Sequence, residues 1–261
     1  MVEPKMLQSY LNFAIETAVE AGKLTLEYFQ TNLQVDTKED GTPVTLADRR
    51  AEEFIRRQIE KTYTGHAIVG EEYGVEGTES ASHRWFIDPI DGTRSFLRGV
   101  PLYAVLIGLE IEENVEVGVA YFPALNELLA AGSGLGCWWN GRPARVSQTS
   151  RLEQAVVTIT DATNFERYRR QQAWKRVAAA TNYHPGWGDA FGYLLVATGR
   201  ADIMLEPINN VWDIAVYPPI FREAGGYFGD WSGESSIYHQ EGLATNLHLL
   251  PQILELLREG E

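Results

Sequence analysis

Apolar residues recur along the first half of the chain at two spacings, one typical of helices and one typical of strands. Residues 7–30 and a segment that begins near Thr45 carry apolar side chains on one helical face, and the polar stretch 36–43 between them predicts a turn. Because proline has no N–H to donate to a sheet, we expect the strand at 84–87 to stop at Pro89. Apolar runs of strand length lie at 67–69, 84–87, 103–111, 115–121 and 127–131.

The pattern changes beyond about residue 145. Just before this point, Asn140-Gly141 is the pair typical of a tight hairpin. The mixture of helices and strands predicts an α/β (α+β) fold made of two closely packed halves, residues 1–145 and 146–261. The elements expected in the second half are a strand at 155–159, helices at 165–180 and 188–198, a strand at 201–205, a helix at 213–224 interrupted by Pro218 and Pro219, and a helix at 250–257.

Composition and charge narrow the possible partners. The 261 residues are enough for one large domain or two packed halves, and 44% of them are apolar. Lys and Arg number 22 against 36 Asp and Glu, so the net charge of −14 disfavours nucleic acid and anionic membranes as partners. The longest apolar run, around 103–109, is shorter than the roughly 20 residues that a membrane helix needs.

The cysteine content and the start of the sequence bear on location. Cys137 is the only cysteine, so no intrachain disulfide can form, and its neighbours supply no base or cation that would activate a thiol. The start of the sequence lacks the basic and apolar regions of a signal peptide. We therefore expect a cytoplasmic protein.

Three groups of acidic residues occur where apolar strands end or apolar helices begin. They are Glu71, the pair Asp88 and Asp91, and Asp213. A carboxylate at such a position is costly to bury unless a positive charge pairs with it. We therefore expect these carboxylates to need a cation.

The segment 88–93, Asp-Pro-Ile-Asp-Gly-Thr, combines features that a metal and phosphate site requires. Pro89 stiffens the turn so that both aspartates can point toward one centre, and the Ile90 carbonyl adds a further oxygen. Gly92 lets the backbone approach an anion, and Thr93 can open a helix whose free N–H groups receive phosphate. Oxygen ligands favour Mg²⁺ or Mn²⁺ over zinc. The alternative is that Asp91 and Thr93 only cap a helix.

Three motifs occur in order along nearly the whole chain: Gly70-Glu71-Glu72, the segment 88–93, and Trp212-Asp213-Ile214-Ala215 followed by Glu223-Ala224-Gly225-Gly226. In these motifs and their spacing the sequence resembles the inositol monophosphatase family. The resemblance implies a layered αβαβα sandwich and a homodimer. It also implies that a small phosphate monoester is hydrolysed with two or three Mg²⁺ ions per site, for which Mn²⁺ can substitute.

The resemblance assigns the metal ligands. It implies that the half 1–145 carries most of them, while the half 146–261 supplies Asp213 and the residues that select the substrate. A first metal would be held by Glu71, Asp88 and the Ile90 carbonyl. A second metal would be held by Asp88, Asp91 and Asp213.

The resemblance also assigns residues to water and phosphate. Asp48 and Thr93 match the pair that orients and activates the attacking water, and Glu71 belongs to the same catalytic group. The amides of Gly92 and Thr93 would hold the phosphoryl oxygens. Lys38 is similar in position to a lysine near a more weakly bound third metal. One metal would lower the pKa of its water, and the other would stabilise the leaving ester oxygen.

Two further segments, 94–101 and 186–197, resemble the histidinol-phosphate phosphatase branch of the family. In that branch an acidic residue at Asp189 is expected beside the substrate, and Glu206 matches a position that contacts the part away from the phosphate. Two carboxylates suit the ammonium and imidazole groups of histidinol phosphate, whereas inositol carries only hydroxyls. Asp189 is also a candidate N-cap, and Arg94 is a candidate for either a phosphate contact or a surface ion pair.

Several hypotheses follow. The leading one is a Mg²⁺-dependent histidinol-phosphate phosphatase of histidine biosynthesis, in which Trp187 and Trp212 either flank the imidazole or are ordinary core and rim residues. The alternatives are a broad inositol or sugar monophosphatase and a 3′-phosphoadenosine phosphatase, although no basic cluster for a second phosphate is evident. An inactive metal-binding regulator would be free to lose Asp48 or Thr93, and both are present.

Overall fold

The computed structural model describes residues 3–38, 41–78 and 80–258 of the chain. Glu39 and Asp40, which belong to the predicted turn at 36–43, lie outside these ranges. Met1 and Val2, on which the expected absence of a signal peptide partly depends, lie outside them as well.

The helices follow the apolar periodicity closely in the first half of the chain and less closely in the second. The predicted helix at 165–180 is two helices, because Arg169 between them has a left-handed φ of +61° that interrupts a right-handed helix. The predicted interruption of the helix at 213–224 is confirmed, and Pro218 lies in the first turn of the later piece. No helix of the described ranges is long and apolar enough to cross a bilayer. The helices are α1 (Pro4–Leu26), α2 (Leu46–Thr62), α3 (Thr93–Leu97), α4 (Ala162–Arg167), α5 (Gln171–Ala180), α6 (Asp189–Ala197), α7 (Val211–Ile214), α8 (Tyr217–Ala224) and α9 (Leu250–Arg258).

The strands confirm the predicted β segments and add shorter ones. They are β1 (Val35–Thr37), β2 (Pro43–Thr45), β3 (Ala67–Gly70), β4 (Gly74–Glu76), β5 (His83–Asp91), β6 (Ala104–Ile111), β7 (Asn114–Phe122), β8 (Glu127–Gly132), β9 (Gly136–Trp139), β10 (Arg142–Pro143), β11 (Val157–Thr158), β12 (Ile203–Glu206), β13 (Gly226–Gly229) and β14 (Gly242–Asn246). The Asn140-Gly141 hairpin joins β9 to β10, as predicted. β11 is shorter than the strand predicted at 155–159. The pattern does not predict β13 and β14, because both are short and begin with glycine.

The expectation that Pro89 stops its strand is wrong. β5 continues to Asp91, and its pairing with β6 slips, because Asp88 lies opposite Leu106 while Asp91 lies opposite Ala104. Three steps along β5 therefore match two steps along β6, which is a β-bulge. The bulge places the missing N–H of Pro89 in an interrupted part of the ladder, so the strand can pass through the proline.

Within the described residues the strands form a two-stranded hairpin, β1–β2, and two larger sheets. The hairpin confirms the turn predicted at 36–43. The first sheet has the order β10-β9-β8-β7-β6-β5-β3-β4, and the second has the order β11-β12-β14-β13. Most neighbours are antiparallel, but β3 and β5 are parallel, so the chain leaves both strands at the same edge of the first sheet.

Five layers result from the packing of the apolar faces. α1 and α2 cover one face of the first sheet, where Leu11, Ile55 and Trp85 are buried together. α6 and α8 lie between the two sheets, while α5 and α9 cover the outer face of the second sheet. The predicted α/β fold, an αβαβα sandwich, is therefore confirmed. The two larger sheets lie on either side of residue 145, and a domain boundary at that residue stays a prediction.

Candidate active site

Three segments bring four carboxylates to one edge of the first sheet. Glu71 follows β3, and its N–H donates to the Ile87 carbonyl of the neighbouring strand at 3.2 Å. Asp88 and Asp91 lie in the last part of β5, on either side of the bulge. Asp213 lies in the first turn of α7, which contacts β5 from the other layer. The predicted metal ligands therefore converge in space.

Asp88, Asp91 and Asp213, which we call the aspartate trio, have carboxylate oxygens within 4.8 Å of one another. Each carboxylate is held by a backbone N–H. Asp88 accepts from Ile90 at 2.9 Å, Asp213 accepts from Asn210 at 2.7 Å, and Asp91 accepts from Ala190 at the start of α6. The trio is thus assembled from β5 of the first sheet and from α7, while α6 supplies one of the N–H groups that hold it.

Burial and mutual repulsion disfavour the charged form of the trio. Burial, followed by the charges of neighbouring carboxylates, raises the pKa values of Asp88 and Asp91 well above their ordinary range. Burial, assisted by the charge of Glu71, raises the pKa of Asp213 to about 7. Carboxylates this close cannot all ionise without a compensating cation.

Glu71 has one satisfied oxygen and one free one. Its Oε1 accepts from Lys38 Nζ at 2.8 Å, and the same ammonium reaches Glu72 Oε1 at 2.7 Å. Burial opposes the charge of Lys38, but the charge of Glu71 prevails and raises the pKa of Lys38 above its usual range. Glu71 Oε2 is buried and has no hydrogen-bond partner within the described ranges.

Asp48, like Glu71, has one carboxylate oxygen that is hydrogen-bonded within the described residues and one that is not. As part of a capping box, its Oδ2 accepts from the Thr45 N–H at 2.8 Å and from the Thr45 hydroxyl at 2.5 Å. Its Oδ1 is buried and, among the described residues, unpartnered, and burial raises its pKa to about 6. Thr93, the other residue expected to activate water, donates its hydroxyl to the Ile90 carbonyl at 3.2 Å. Asp48 and Thr93 are therefore each tied to their own turn, and Asp48 Oδ1 remains available to a ligand.

These groups fit a hard divalent cation. The crowded trio, the free Glu71 Oε2 and the Ile90 carbonyl are all oxygen donors, and no imidazole or thiolate is among them. Oxygen donors of this kind suit Mg²⁺ or Mn²⁺. A bound cation would reverse the electrostatic cost of the trio and occupy the buried oxygen that Glu71 leaves unsatisfied.

A pocket adjoins the trio on the side of the second sheet. Its walls include Asp91 and Asp213 of the trio, together with Asp189 and Glu206, which we call the acidic pair. Burial raises the pKa of Asp189 to about 6, although Thr160 and Arg94 oppose the shift, and burial raises the pKa of Glu206 to about 8. The pocket therefore places several carboxyl groups where their charged forms are poorly solvated.

Thr160 holds the acidic pair together, and the sequence contains no signal for this role. Its N–H donates to Glu206 Oε1 at 2.5 Å, and its hydroxyl accepts from the Asp189 N–H at 2.7 Å. Gly188 permits this approach, because a Cβ at that position would lie 2.2 Å from Thr160 Cα. The contact joins residues far apart in the chain, so no local pattern predicts it. Thr45, by contrast, is detectable as the N-cap three residues before Asp48.

A wider groove leads from the trio to the surface. Its lining includes Gly92, Thr93, Arg94, Arg167 and Asp189. Arg94 is exposed, and its charge lowers the pKa of Asp161 at the mouth, after the larger effect of the Thr163 hydrogen bonds. Arg94 is thus placed to meet an incoming anion as well as an acidic neighbour.

The two candidate tryptophans do not line either the pocket or the groove. Trp187 is 41% exposed and packs edge to face against Tyr183. Trp212 packs against the central apolar core between the sheets. Their interpretation as rim and core residues fits this placement better than that of walls around an imidazole.

Comparisons with known proteins cover nearly the whole chain. The sequence profile of the inositol monophosphatase family matches residues 6–260. A histidinol-phosphatase from Chlorobaculum parvum is 43% identical over 236 residues, which cover 90% of this chain and 91% of that protein. Inositol monophosphatase 3 from Solanum lycopersicum is 31% identical, with 99% of this chain and 100% of that protein covered. The solved structure of the extragenic suppressor protein suhB from Bartonella henselae has a TM-score of 0.89 at 31% identity, covering 97% of this chain and 100% of that one.

Proposed function

This chain belongs to the inositol monophosphatase family and is a hydrolase of phosphoric monoesters, and we propose that its substrate is L-histidinol phosphate. The observation that carries the proposal is the acidic pair, Asp189 and Glu206, in the pocket that adjoins the aspartate trio. Histidinol phosphate carries an ammonium group and an imidazole within reach of its phosphate. A cationic group in this pocket would relieve the burial of two carboxylates, whereas a neutral polyol would leave it uncompensated.

We propose that the metal ligands are Glu71, Asp88, the Ile90 carbonyl, Asp91 and Asp213, and that they hold two or three Mg²⁺ ions for which Mn²⁺ can substitute. The support is the crowding of the trio and the free buried oxygen of Glu71. When bound, such ions supply a Lewis acid that lowers the pKa of water and stabilises the leaving oxygen.

The residues around the metal ligands then divide the remaining tasks. Asp48 offers its free Oδ1 to the attacking water, and the Thr93 hydroxyl, close to the Ile90 carbonyl, orients that water. The amides of Gly92 and Thr93, with Arg94 behind them, would hold the phosphoryl oxygens. Water adds to phosphorus, the ester P–O bond breaks, and the leaving oxygen takes a proton to give L-histidinol and inorganic phosphate.

The decisive experiment compares phosphate release from L-histidinol phosphate, inositol 1-phosphate, fructose 1,6-bisphosphate and 3′-phosphoadenosine 5′-phosphate with Mg²⁺ present. We expect kcat/KM to favour histidinol phosphate by about a hundredfold, or ~2.7 kcal/mol. A flat profile would leave a phosphatase but remove the substrate assignment.

Inositol 1-phosphate is the second candidate substrate. The specific observation in its favour is the 31% identity to an inositol monophosphatase over almost the whole chain. A preference for inositol 1-phosphate in the same panel would select it. An inactive regulator is disfavoured, because it would be free to lose Asp48, Glu71 or Thr93, and all three are present.

We also propose a cytoplasmic homodimer. The single buried cysteine, Cys137, supports a reducing compartment, and the family resemblance supports the dimer. Sedimentation of the purified protein tests the dimer, since a monomeric mass at working concentration would contradict it.

A further inference from the structure

Helix α2 carries a buried stripe of three charged residues, and the proposed reaction uses only the first of them, Asp48. Asp48, Glu52 and Arg56 follow one another at intervals of four residues, so they lie on one face of the helix. All three are buried, with exposures of 0%, 0% and 6%. Asp48 faces the candidate site, while Glu52 and Arg56 form an ion pair of 2.8 Å one and two turns further along.

The Glu52 carboxylate holds the turn that carries Glu71. Its Oε2 accepts from the Glu72 N–H at 2.8 Å, and its Oε1 accepts from the Tyr73 N–H at 3.2 Å. The backbone before the turn also packs closely on it, because a Cβ on Gly70 would lie 2.1 Å from Glu52 Oε1. Glu71 is therefore fixed on both sides by one buried carboxylate.

Arg56 holds the strand that follows the same turn, and we call Glu52 and Arg56 together the clamp. Arg56 Nη2 donates to the Gly74 carbonyl at 2.5 Å, and its Nη1 reaches Glu76 Oε2 at 3.2 Å, both in β4. The pair thus binds both the N–H groups and a carbonyl of the tight connection between β3 and β4. A buried ion pair is a poor device for stability alone, because desolvation offsets most of its attraction. Such a pair can instead fix the geometry of a neighbouring group.

We propose that Glu52 and Arg56 are positioning residues that hold the Glu71 carboxylate toward the aspartate trio. Because Asp48 is on the same helical face, α2 also sets the distance between the residue that meets water and the turn that carries Glu71. The inference rests on the proposed role of Glu71 as a metal ligand. It assigns a function to two residues that sequence patterns alone place among ordinary helix charges.

The test is Mn²⁺ binding to the full-length protein, measured from the free-ion electron paramagnetic resonance signal. Glu52→Gln keeps the size of the side chain but removes the charge that binds Arg56. We expect it to raise the Mn²⁺ dissociation constant by about 10-fold to 100-fold, as outer-shell changes at metal sites do. The KM for the phosphate ester at saturating metal should stay near the wild-type value, a split that general destabilisation would not produce.

Asp202→Asn is the matched control. Asp202 is a buried carboxylate that accepts from Ser147 Oγ at 2.6 Å and from the Val156 N–H at 2.8 Å, at the opposite end of β12 from Glu206. Its amide variant should lower the Tm without changing Mn²⁺ affinity. If Glu52→Gln likewise lowers only the Tm, the positioning role is refuted.

Two further variants distinguish failure of the positioning role from failure of the proposed metal site. Glu71→Gln should weaken Mn²⁺ binding more than Glu52→Gln, and an unchanged affinity there would remove the metal assignment itself rather than the clamp. If Glu52→Gln does not fold, Arg56→Lys decides, because it keeps the charge but loses the planar donors to Gly74 and Glu76. A weaker Mn²⁺ affinity in Arg56→Lys supports the clamp, and a wild-type affinity overturns it.

Discussion

The candidate active site holds two groups of carboxylates that are arranged in different ways. In the proposed metal site, the aspartate trio crowds its oxygens within 4.8 Å, and Glu71 keeps a buried oxygen without a partner among the described residues. In the proposed substrate pocket, the acidic pair is joined through Thr160, which satisfies Glu206 and the Asp189 backbone. The first arrangement demands a multiply charged ion, while the second can be neutralised by one cation or by protons. Similar burial thus produces two kinds of selectivity.

The largest effect is expected from Asp91→Asn, which removes one charge from the trio and keeps an acceptor for the Ala190 N–H. We expect kcat/KM with Mg²⁺ to fall by at least about a thousandfold, or ~4 kcal/mol. In EDTA the same variant should have a higher Tm than the wild type, because repulsion between buried carboxylates is relieved. Phosphate release and thermal unfolding measure the two effects. A lower Tm in EDTA would show that the trio is not under electrostatic strain.

Asp189→Asn tests the acidic pair and should have the next largest effect. Asparagine tolerates the left-handed φ of +50° found there, so the backbone should be kept. We expect kcat/KM for L-histidinol phosphate to fall by about a hundredfold, or ~2.7 kcal/mol, with little loss on glycerol 2-phosphate. Equal losses on both esters would mean that Asp189 is structural. Asp161→Asn at the mouth of the groove is the control and should affect the two esters alike.

Thr160→Val tests whether substrate binding requires the link that Thr160 makes between Asp189 and Glu206. The variant loses the hydroxyl that accepts from Asp189 but keeps the N–H that donates to Glu206. We expect KM for histidinol phosphate to rise about fivefold to tenfold, the ~1–1.5 kcal/mol of one hydrogen bond. Thr158→Val, which removes a buried hydroxyl bonded to the Ile203 carbonyl in the same sheet, should lower the Tm and leave KM unchanged.

The smallest effect is expected in the pH dependence of stability. Because Asp213 and Glu206 have folded-state pKa values of about 7 and about 8, the folded protein binds protons more tightly than the unfolded chain. Their contribution is present below pH 4 and is lost as the pH rises through about 7 to 8, so the Tm in EDTA should fall by several degrees between about pH 5 and pH 8. Mg²⁺ should remove the part of this pH dependence that comes from Asp213 in the trio. L-histidinol should remove the part that comes from Glu206. A Tm that rises over this range would contradict the assignment of buried, repelling carboxylates.

Local patterns predict that Glu71 and the aspartate trio converge, because these residues lie in short motifs. Glu71 and the segment 88–93 each follow an apolar strand, and the parallel pairing of β3 and β5 then brings them to one edge. Asp213 belongs to a third motif that the layered fold folds back onto β5. In each case the information that places the carboxylate is contained within a few neighbouring residues.

Other features depend on contacts that no local pattern contains. Thr160 meets Glu206 across 46 residues of sequence and Asp189 across 29. The helical pattern alone is that of a solvent-facing charge at Glu52. The structure instead buries Glu52 under the β3–β4 turn, whose N–H groups donate to its carboxylate. The break at Arg169 and the passage of β5 through Pro89 likewise depend on tertiary packing, which overrides the local preference.

The bulge in β5 decides whether the two aspartates of that strand face the same side of the sheet. In a regular strand, side chains three apart point to opposite sides of the sheet. Here the extra residue makes the count effectively two, so Asp88 and Asp91 lie opposite Leu106 and Ala104, which share a side of β6. Deleting one residue between the aspartates would leave them two apart in a regular strand, still on one side of the sheet, but it would remove the interrupted part of the ladder that accommodates Pro89. The bulge therefore allows a spacing of three residues, with a proline inside it, to present both carboxylates on one side of the sheet.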